Sequence, residues 1–214
     1  MKLAPSILSA DFSALLDDVK KIEEGGADII HVDVMDGHFV PNISFGSVVM
    51  KSLNGKTKLN YDVHLMITDP EKYYKDFLTD QTEYITSHVE VIENNPDILM
   101  HIKESGVKAG LSINPETDIK EIVPYLAYCD LVLVMSVHPG FGGQKFIPET
   151  LSKVKFLKEY RASHNLSFEI EIDGGINLSN VKEVVDAGCD MIVAGSAVFK
   201  AEDIVERAKE FKRI

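Results

Sequence analysis

The stretch His31-Val32-Asp33-Val34-Met35-Asp36-Gly37-His38-Phe39-Val40-Pro41 decides how this chain is read. It continues the β-branched run Ala27-Asp28-Ile29-Ile30, so residues 28–35 predict a strand on which His31, Asp33 and Met35 alternate onto one face. An imidazole and a carboxylate two residues apart on a strand built for burial need something to offset their desolvation, such as a metal ion, a charged partner or a wet cavity. The end of this strand is therefore the first place to look for chemistry.

Working outward, short apolar runs alternate with amphipathic segments to the C-terminus, with no low-complexity linker between them. Strands are predicted over 3–8, 28–35, 58–66, 84–89, 107–113, 131–137, 168–173 and 191–194. Helices are predicted over 13–24, 47–53, from Pro70, and over 96–104, 118–126 after the turn Asn114-Pro115-Glu116-Thr117, 148–163, 178–187 and 201–211. Gly25-Gly26 stops the first helix, and Asp69-Pro70 starts the third with a cap and a proline at its first position. Eight strand-helix units over residues 1–214 predict a single (β/α)8 TIM barrel in one catalytic domain. An open doubly wound sheet explains less, because only a closed barrel brings the polar ends of many strands to one mouth.

Composition narrows the partners. With 22 Lys+Arg against 34 Asp+Glu the net charge is −12, which disfavours nucleic acid and anionic membranes. An anionic small molecule would need local positive potential from backbone N–H groups or a cation. No run approaches the ~18 apolar residues of a membrane span, and no signal-like segment opens the chain. Cys129 and Cys189 sit outside any metal or redox pattern. A cytoplasmic protein with two unpaired thiols is expected.

Four predicted strand ends carry groups of one kind: His31 and Asp33 on the second, His64 on the third, Asp173 on the seventh. Two imidazoles and two carboxylates suit Zn²⁺ or another divalent first-row ion, with positions left for substrate oxygens. On different strands, Asp33 and Asp173 can face a substrate from different sides, one taking a proton and one giving it, which is the geometry of stereo-inversion. Met35, Met66 and Met135 are read either as core filling or as a polarisable wall that keeps water from the reacting carbon. Asp173-Gly174-Gly175-Ile176-Asn177 and Ala194-Gly195-Ser196-Ala197 follow the last two strands, where barrels bind phosphate on backbone N–H groups. Gly140-Phe141-Gly142-Gly143 is either a lid or a plain loop. Ser6 is read as a substrate contact or a turn cap, and His88 as a hydrogen-bonded core histidine.

Together Ala4 to Phe12, His31 to Asn42, Asp62-Val63-His64-Leu65-Met66, Pro139 to Gln144, Asp173-Gly174-Gly175-Ile176 and Ala194-Gly195-Ser196 resemble the ribulose-phosphate 3-epimerase family nearly end to end. The resemblance implies a barrel of the ribulose-phosphate-binding type that interconverts D-ribulose 5-phosphate and D-xylulose 5-phosphate in the pentose phosphate pathway. It implies Asp33 as proton acceptor and Asp173 as proton donor. One divalent ion per subunit, most often Zn²⁺, is implied on His31, Asp33, His64 and Asp173; Fe²⁺, Mn²⁺ and Co²⁺ suit the same donors. By the same carry-over Ser6 and His64 contact substrate, Gly140, Phe141, Gly142 and Gly143 close over it, and Gly174, Gly175, Gly195 and Ser196 surround its phosphate. A homo-oligomer, from dimer to hexamer, is implied as well. Two positions depart from the family pattern: Ser47, where proline is expected, and His138, where asparagine or an acid is usual.

Three alternatives stay open at this point. An epimerase for allulose 6-phosphate would use the same chemistry in a longer pocket, although it departs from this chain in the Asp-Gly-Gly-Ile and lid segments. A barrel decarboxylase of sugar or nucleotide phosphates carries Asp-x-Lys-x-x-Asp near the second strand, whereas this chain reads Asp33-Val34-Met35-Asp36. A non-catalytic phosphate-binding barrel has no need of both carboxylates and both histidines.

Overall fold

The computed structural model describes residues 1–92 and 96–214. Among these residues stand eight strands: β1 (Lys2–Ala4), β2 (Ile29–Met35), β3 (Asn60–Met66), β4 (Thr82–His88), β5 (Lys108–Ile113), β6 (Leu131–Met135), β7 (Glu169–Asp173) and β8 (Met191–Val193). All neighbours pair in parallel, in the order β1-β8-β7-β6-β5-β4-β3-β2. The seam between β1 and β2 closes through Asp28 N–H to Leu3 O (3.0 Å), His31 N–H to Pro5 O (3.1 Å) and a parallel bridge from Ser6 to His31. The result is a single (β/α)8 barrel, as the alternation of apolar runs predicts.

Around it lie α1 (Leu15–Glu24), α2 (Ser47–Lys51), α3 (Pro70–Tyr73), α4 (Asp97–Glu104), α5 (Leu151–Ser163), α6 (Val181–Ala187), α7 (Ser196–Phe199) and α8 (Ile204–Lys212). Strand residues of one parity, including Val32, Val63, Leu111, Val132, Ile170 and Ile192, pack with Ile22, Leu99, Val154, Val184 and Phe211 of the helices in one large core. Each such side chain, fully withdrawn from water, contributes about 1.5–3 kcal/mol. Residues of the other parity point into the barrel. Ala4, Ile29, Tyr84, Leu131, Leu133 and Met191 belong to a separate interior cluster. Toward the C-terminal mouth the interior turns polar: His31, Asp62, His64, Thr86, His88, Ser112 and Glu171 are fully buried there. Register places His31 opposite Asp62, Asp33 opposite His64, and Asp173 opposite Met135.

Several boundaries differ from expectation, each for a local reason. The first strand ends at Ala4, because Pro5 has no N–H and Ser6 caps a 3-10 turn over Ile7–Ser9. In place of the α-helix expected over 118–126 there are two 3-10 segments, Ile119–Glu121 and Val123–Tyr128. Pro124 in the second segment cannot donate to an α-helical ladder. The sixth helix begins at Val181 rather than 178, since Asn177 Oδ1 accepts from Ser179 N–H and Asn180 Oδ1 accepts from Asn177 N–H, holding those residues in turns. Expected over 201–211, the last helix starts at Ile204, where Asp203 caps it, and the short α7 precedes it.

Candidate active site

A cavity of about 330 Å³ opens at the C-terminal mouth of the barrel. Its lining includes Ser6, Asp33, Met35, Met66, Met135, Gly140, Phe141, Gly142, Gly143, Asp173, Gly174, Gly175, Gly195 and Ser196. Of the candidate catalytic, metal-ligating and substrate-contacting residues, all but His31 and His64 line the cavity; those two, like His88, are fully buried in the barrel interior. His31, Asp33, His64 and Asp173 nevertheless form one cluster, each offering a ligand atom within 4.8 Å of the others. Strand pleat explains the convergence. His31 and Asp33 lie two residues apart on β2, and His64 is the register partner of Asp33 on β3.

The cluster fits a divalent cation. His31 Nδ1 lies 2.5 Å from Asp62 Oδ2, so its Nε2 faces Asp33. Although Asp33 Oδ1 is 3.2 Å away, Nε2 makes no hydrogen bond to any described group. A buried orphan nitrogen beside a carboxylate, with two more ligand atoms at hand, matches the mixed N/O donor set of a zinc-type site, and Asp62 is the carboxylate that orients the imidazole from behind. Electrostatics agrees. Burial opposes charge on His31, yet the charges of Asp33 and Asp62 outweigh it and raise its pKa well above the ordinary value. Burial alone would raise the Asp33 carboxyl, but the charge of His31 beside it, then the hydrogen bond and charge of His64, hold it well below the usual carboxylate range. Burial lowers His64 to about 4 against the pull of Asp33. Positive charge is favoured where a cation would sit.

Asp173 differs from Asp33. Burial first, and then the charge on Asp33, push its carboxyl up to about 7. The two aspartates thus have opposite tendencies in one site, the pattern that separates a base from an acid. Ser6 Oγ donates to Asp33 Oδ2 (2.5 Å) while accepting from Leu8 N–H (3.3 Å). The turn-cap reading of Ser6 therefore holds, and its hydroxyl also lines the cavity beside Asp33.

The other wall is backbone. Gly174 (φ +122) and Gly175 (φ +66) adopt left-handed conformations, and a Cβ on Gly175 would stand 2.4 Å from Phe146 N. A Cβ on Gly195 would meet Ser9 Oγ at 2.9 Å. The N–H groups of Gly175, Gly195 and Ser196 have no acceptor among the described residues, and no lysine or arginine lines the cavity. The loop carrying Gly140 and Gly143 is pinned by Asn42 Nδ2 to Gly140 O (2.7 Å) and by Gln144 Nε2 to Phe141 O (2.8 Å). Met35 and Met66 pack with Val40, and Met135 joins the barrel interior, while all three face the cavity. Core filling and cavity wall are one role here.

Sequence reasoning gave no role to Ser9 and Gln144 at the cavity, or to Asp62, Glu171 and Glu90 beneath it. Strand parity was signal enough for two of these. Asp62 precedes His64 by two residues, and Glu171 precedes Asp173 by two. His88 is hydrogen-bonded, as expected, but to a member of the cluster: its Nε2 lies 2.8 Å from His64 Nε2.

A closed parallel barrel with acid-base groups and a glycine-rich cradle at one mouth defines a barrel enzyme for small phosphorylated substrates. Comparison with known proteins narrows this class. Residues 2–199 match the ribulose-phosphate 3 epimerase family. The chain is 48% identical over 209 residues to the ribulose-phosphate 3-epimerase of Synechocystis, covering 95% of this chain and 90% of that protein. It is 44% identical over 213 residues to the one of Bacillus subtilis, covering 99% and 98%. The solved 3-hexulose-6-phosphate synthase of Salmonella typhimurium superposes with a TM-score of 0.72 over 100% of this chain and 97% of that one; at 17% identity it shares the fold. The chain belongs to the ribulose-phosphate 3-epimerase family and is an isomerase. No described helix is long and apolar enough to cross a membrane.

Proposed function

We propose that this enzyme interconverts D-ribulose 5-phosphate and D-xylulose 5-phosphate by moving a proton at C3. The observation that carries the reading is that Asp33 and Asp173 reach one cavity from β2 and β7 with opposite protonation tendencies. Asp33, charged and oriented by Ser6, takes the C3 proton and leaves an ene-diolate. Asp173, the carboxyl pushed upward, returns a proton to the other face of the planar carbon, so the configuration inverts. The reverse reaction exchanges the two roles. Met35, Met66 and Met135 keep bulk water from the intermediate. Gly175, Gly195 and Ser196 offer free N–H groups to the phosphate, which suits a cavity without lysine or arginine in a chain of net charge −12. Gly140, Phe141, Gly142 and Gly143 cover the bound sugar.

His31, Asp33, His64 and Asp173 would hold the divalent ion, with Zn²⁺ suiting their two nitrogens and two oxygens; when bound it supplies polarisation of the carbonyl beside C3 and positive charge in the site. We also infer a homo-oligomer, because Ile43, between β2 and α2, and Val48, in α2, are 75% and 81% exposed, and Phe45 between them meets Phe12 in a tilted ring contact.

Product analysis with D-ribulose 5-phosphate and D-allulose 6-phosphate side by side tests the substrate. Xylulose 5-phosphate forming much faster than the hexose epimer is the expected result. A preference for the hexose would keep the chemistry and overturn the substrate, and release of carbon dioxide would overturn the reaction.

A further inference from the structure

Each imidazole of the cluster has one nitrogen directed at Asp33 and one directed away. For His31 the distal nitrogen meets Asp62 directly. For His64 it meets no carboxylate but a second imidazole. His64 Nδ1 lies 3.0 Å from Asp33 Oδ1, and its Nε2 lies 2.8 Å from His88 Nε2. His88 Nδ1 in turn lies 3.1 Å from Glu90 Oε2. The other Glu90 oxygen accepts from Asn114 N–H (2.9 Å) and Thr117 Oγ1 (2.6 Å), which ties the chain to the loop after β5. The two rings stack at 4.9 Å, and Phe39 closes over His88 at 4.7 Å.

Hydrogen-bond polarity settles the protons along this chain. A carboxylate can only accept, so His88 Nδ1 carries a hydrogen toward Glu90. A neutral His88 then has a bare Nε2, which accepts from His64 Nε2–H. A neutral His64 is left with a bare Nδ1, and that lone pair faces Asp33 Oδ1, another acceptor. Two acceptors 3.0 Å apart need a proton or a metal ion to share.

We propose that His88 and Glu90 are positioning residues that fix the tautomer and ring orientation of His64, so that its Nδ1 lone pair is presented to the divalent ion. The inference rests on the metal site proposed above and extends it through one more imidazole. Neither residue is among those that line the cavity. Local structure explains the placement. β4 ends at His88, and the 3-10 turn Val89–Val91 brings Glu90 back beside the ring. A His-x-Glu pair at a strand end gives the second imidazole ligand its orienting carboxylate at one remove, where the first has it directly.

Zinc affinity tests this, measured by competition with a chromophoric chelator on the full-length protein, alongside the visible spectrum of the Co²⁺-loaded form. His88→Phe keeps ring volume and removes both nitrogens, and zinc affinity should fall about 10–100-fold, the usual cost of losing an outer partner. His88→Gln retains an acceptor for His64 and should recover most of that loss. Glu90→Ala should weaken zinc about 10-fold and alter the Co²⁺ spectrum, whereas Glu90→Gln, which still accepts from His88, should stay within about 3-fold. A merely structural role would lower the urea midpoint of the metal-free protein and leave zinc affinity in place. Should His88→Phe fail to fold, the Glu90 pair decides alone. Zinc binding within 2-fold of the parent in both Glu90→Ala and any folded His88→Phe would overturn the proposal while leaving the metal site standing. Absence of tight zinc binding in the parent would overturn the metal site and the proposal with it.

Discussion

The cavity has two unlike halves. Its inner half is made of strand-borne side chains, Asp33 and the partly buried Asp173 above His31 and His64, and Asp33, His31 and His64 are each held by another buried polar group. Its outer half is made of loop backbone, at Gly174, Gly175, Gly195 and Ser196, where side chains are excluded by close contacts or carry no charge. The difference separates two tasks. Proton transfer needs groups with tuned pKa values in fixed positions, which the pleat of a parallel barrel supplies. Anchoring a phosphate in an acidic protein needs positive potential without titratable cations beside the acid-base pair, which N–H groups supply.

The sharpest way to break the comparison is to disable the inner half. Asp173→Asn removes the proton donor, and kcat should fall by at least about 10³-fold with the circular dichroism spectrum unchanged. Asp33→Asn should cost as much and also lower metal content, because it removes the carboxylate between the two imidazoles. Near-normal turnover in either variant would remove the two-carboxylate mechanism. Damage to the outer half should read differently. Gly175→Ala forces a side chain at φ +66 against Phe146, a strain of about 1–3 kcal/mol that shifts the cradle. KM for the phosphorylated substrate should rise about 10-fold or more while bound metal stays at parent level. Smaller still is the expected effect of Gly142→Pro, a several-fold loss of kcat with metal content intact; unchanged kinetics would make that loop a bystander.

The smallest effect concerns the join between the halves. Asp36 follows β2 and accepts from the N–H groups of His38, Phe39 and Thr68 and from Thr68 Oγ1. Burial works against its charge, but these bonds win and hold its pKa at about 2 rather than the ordinary 3.8. A depressed carboxyl stabilises the fold fully above about pH 4 and loses that contribution as pH falls toward 2. Asp36→Asn should therefore melt a few degrees lower at neutral pH and show a flatter stability profile between pH 4 and 2. Equal acid sensitivity of the two proteins would contradict this role.

The inner half was legible because period-two alternation is a one-dimensional property. His31 and Asp33 betray their face without a structure, and the polar ends of β3 and β7 join them once the barrel closes. The glycine segments were legible for a related reason: Gly174 and Gly175 lie where a barrel turns from strand to helix. Contacts between strands were not. Nothing in the sequence pairs Ser6 with Asp33, or His88 with His64, because both depend on register and on ring orientation. The α-helix expected over 118–126 failed because Pro124 weighs more than an apolar pattern. The late start of α6 shows side chains of Asn177 and Asn180 competing with the helix for backbone groups.

The most direct measurement is proton NMR of the metal-analysed protein with D-ribulose 5-phosphate in D₂O. Loss of the C3 proton signal in step with appearance of D-xylulose 5-phosphate, abolished by a chelator and by Asp173→Asn, is the predicted result. Epimer formed with its C3 proton retained would contradict proton transfer between two aspartates.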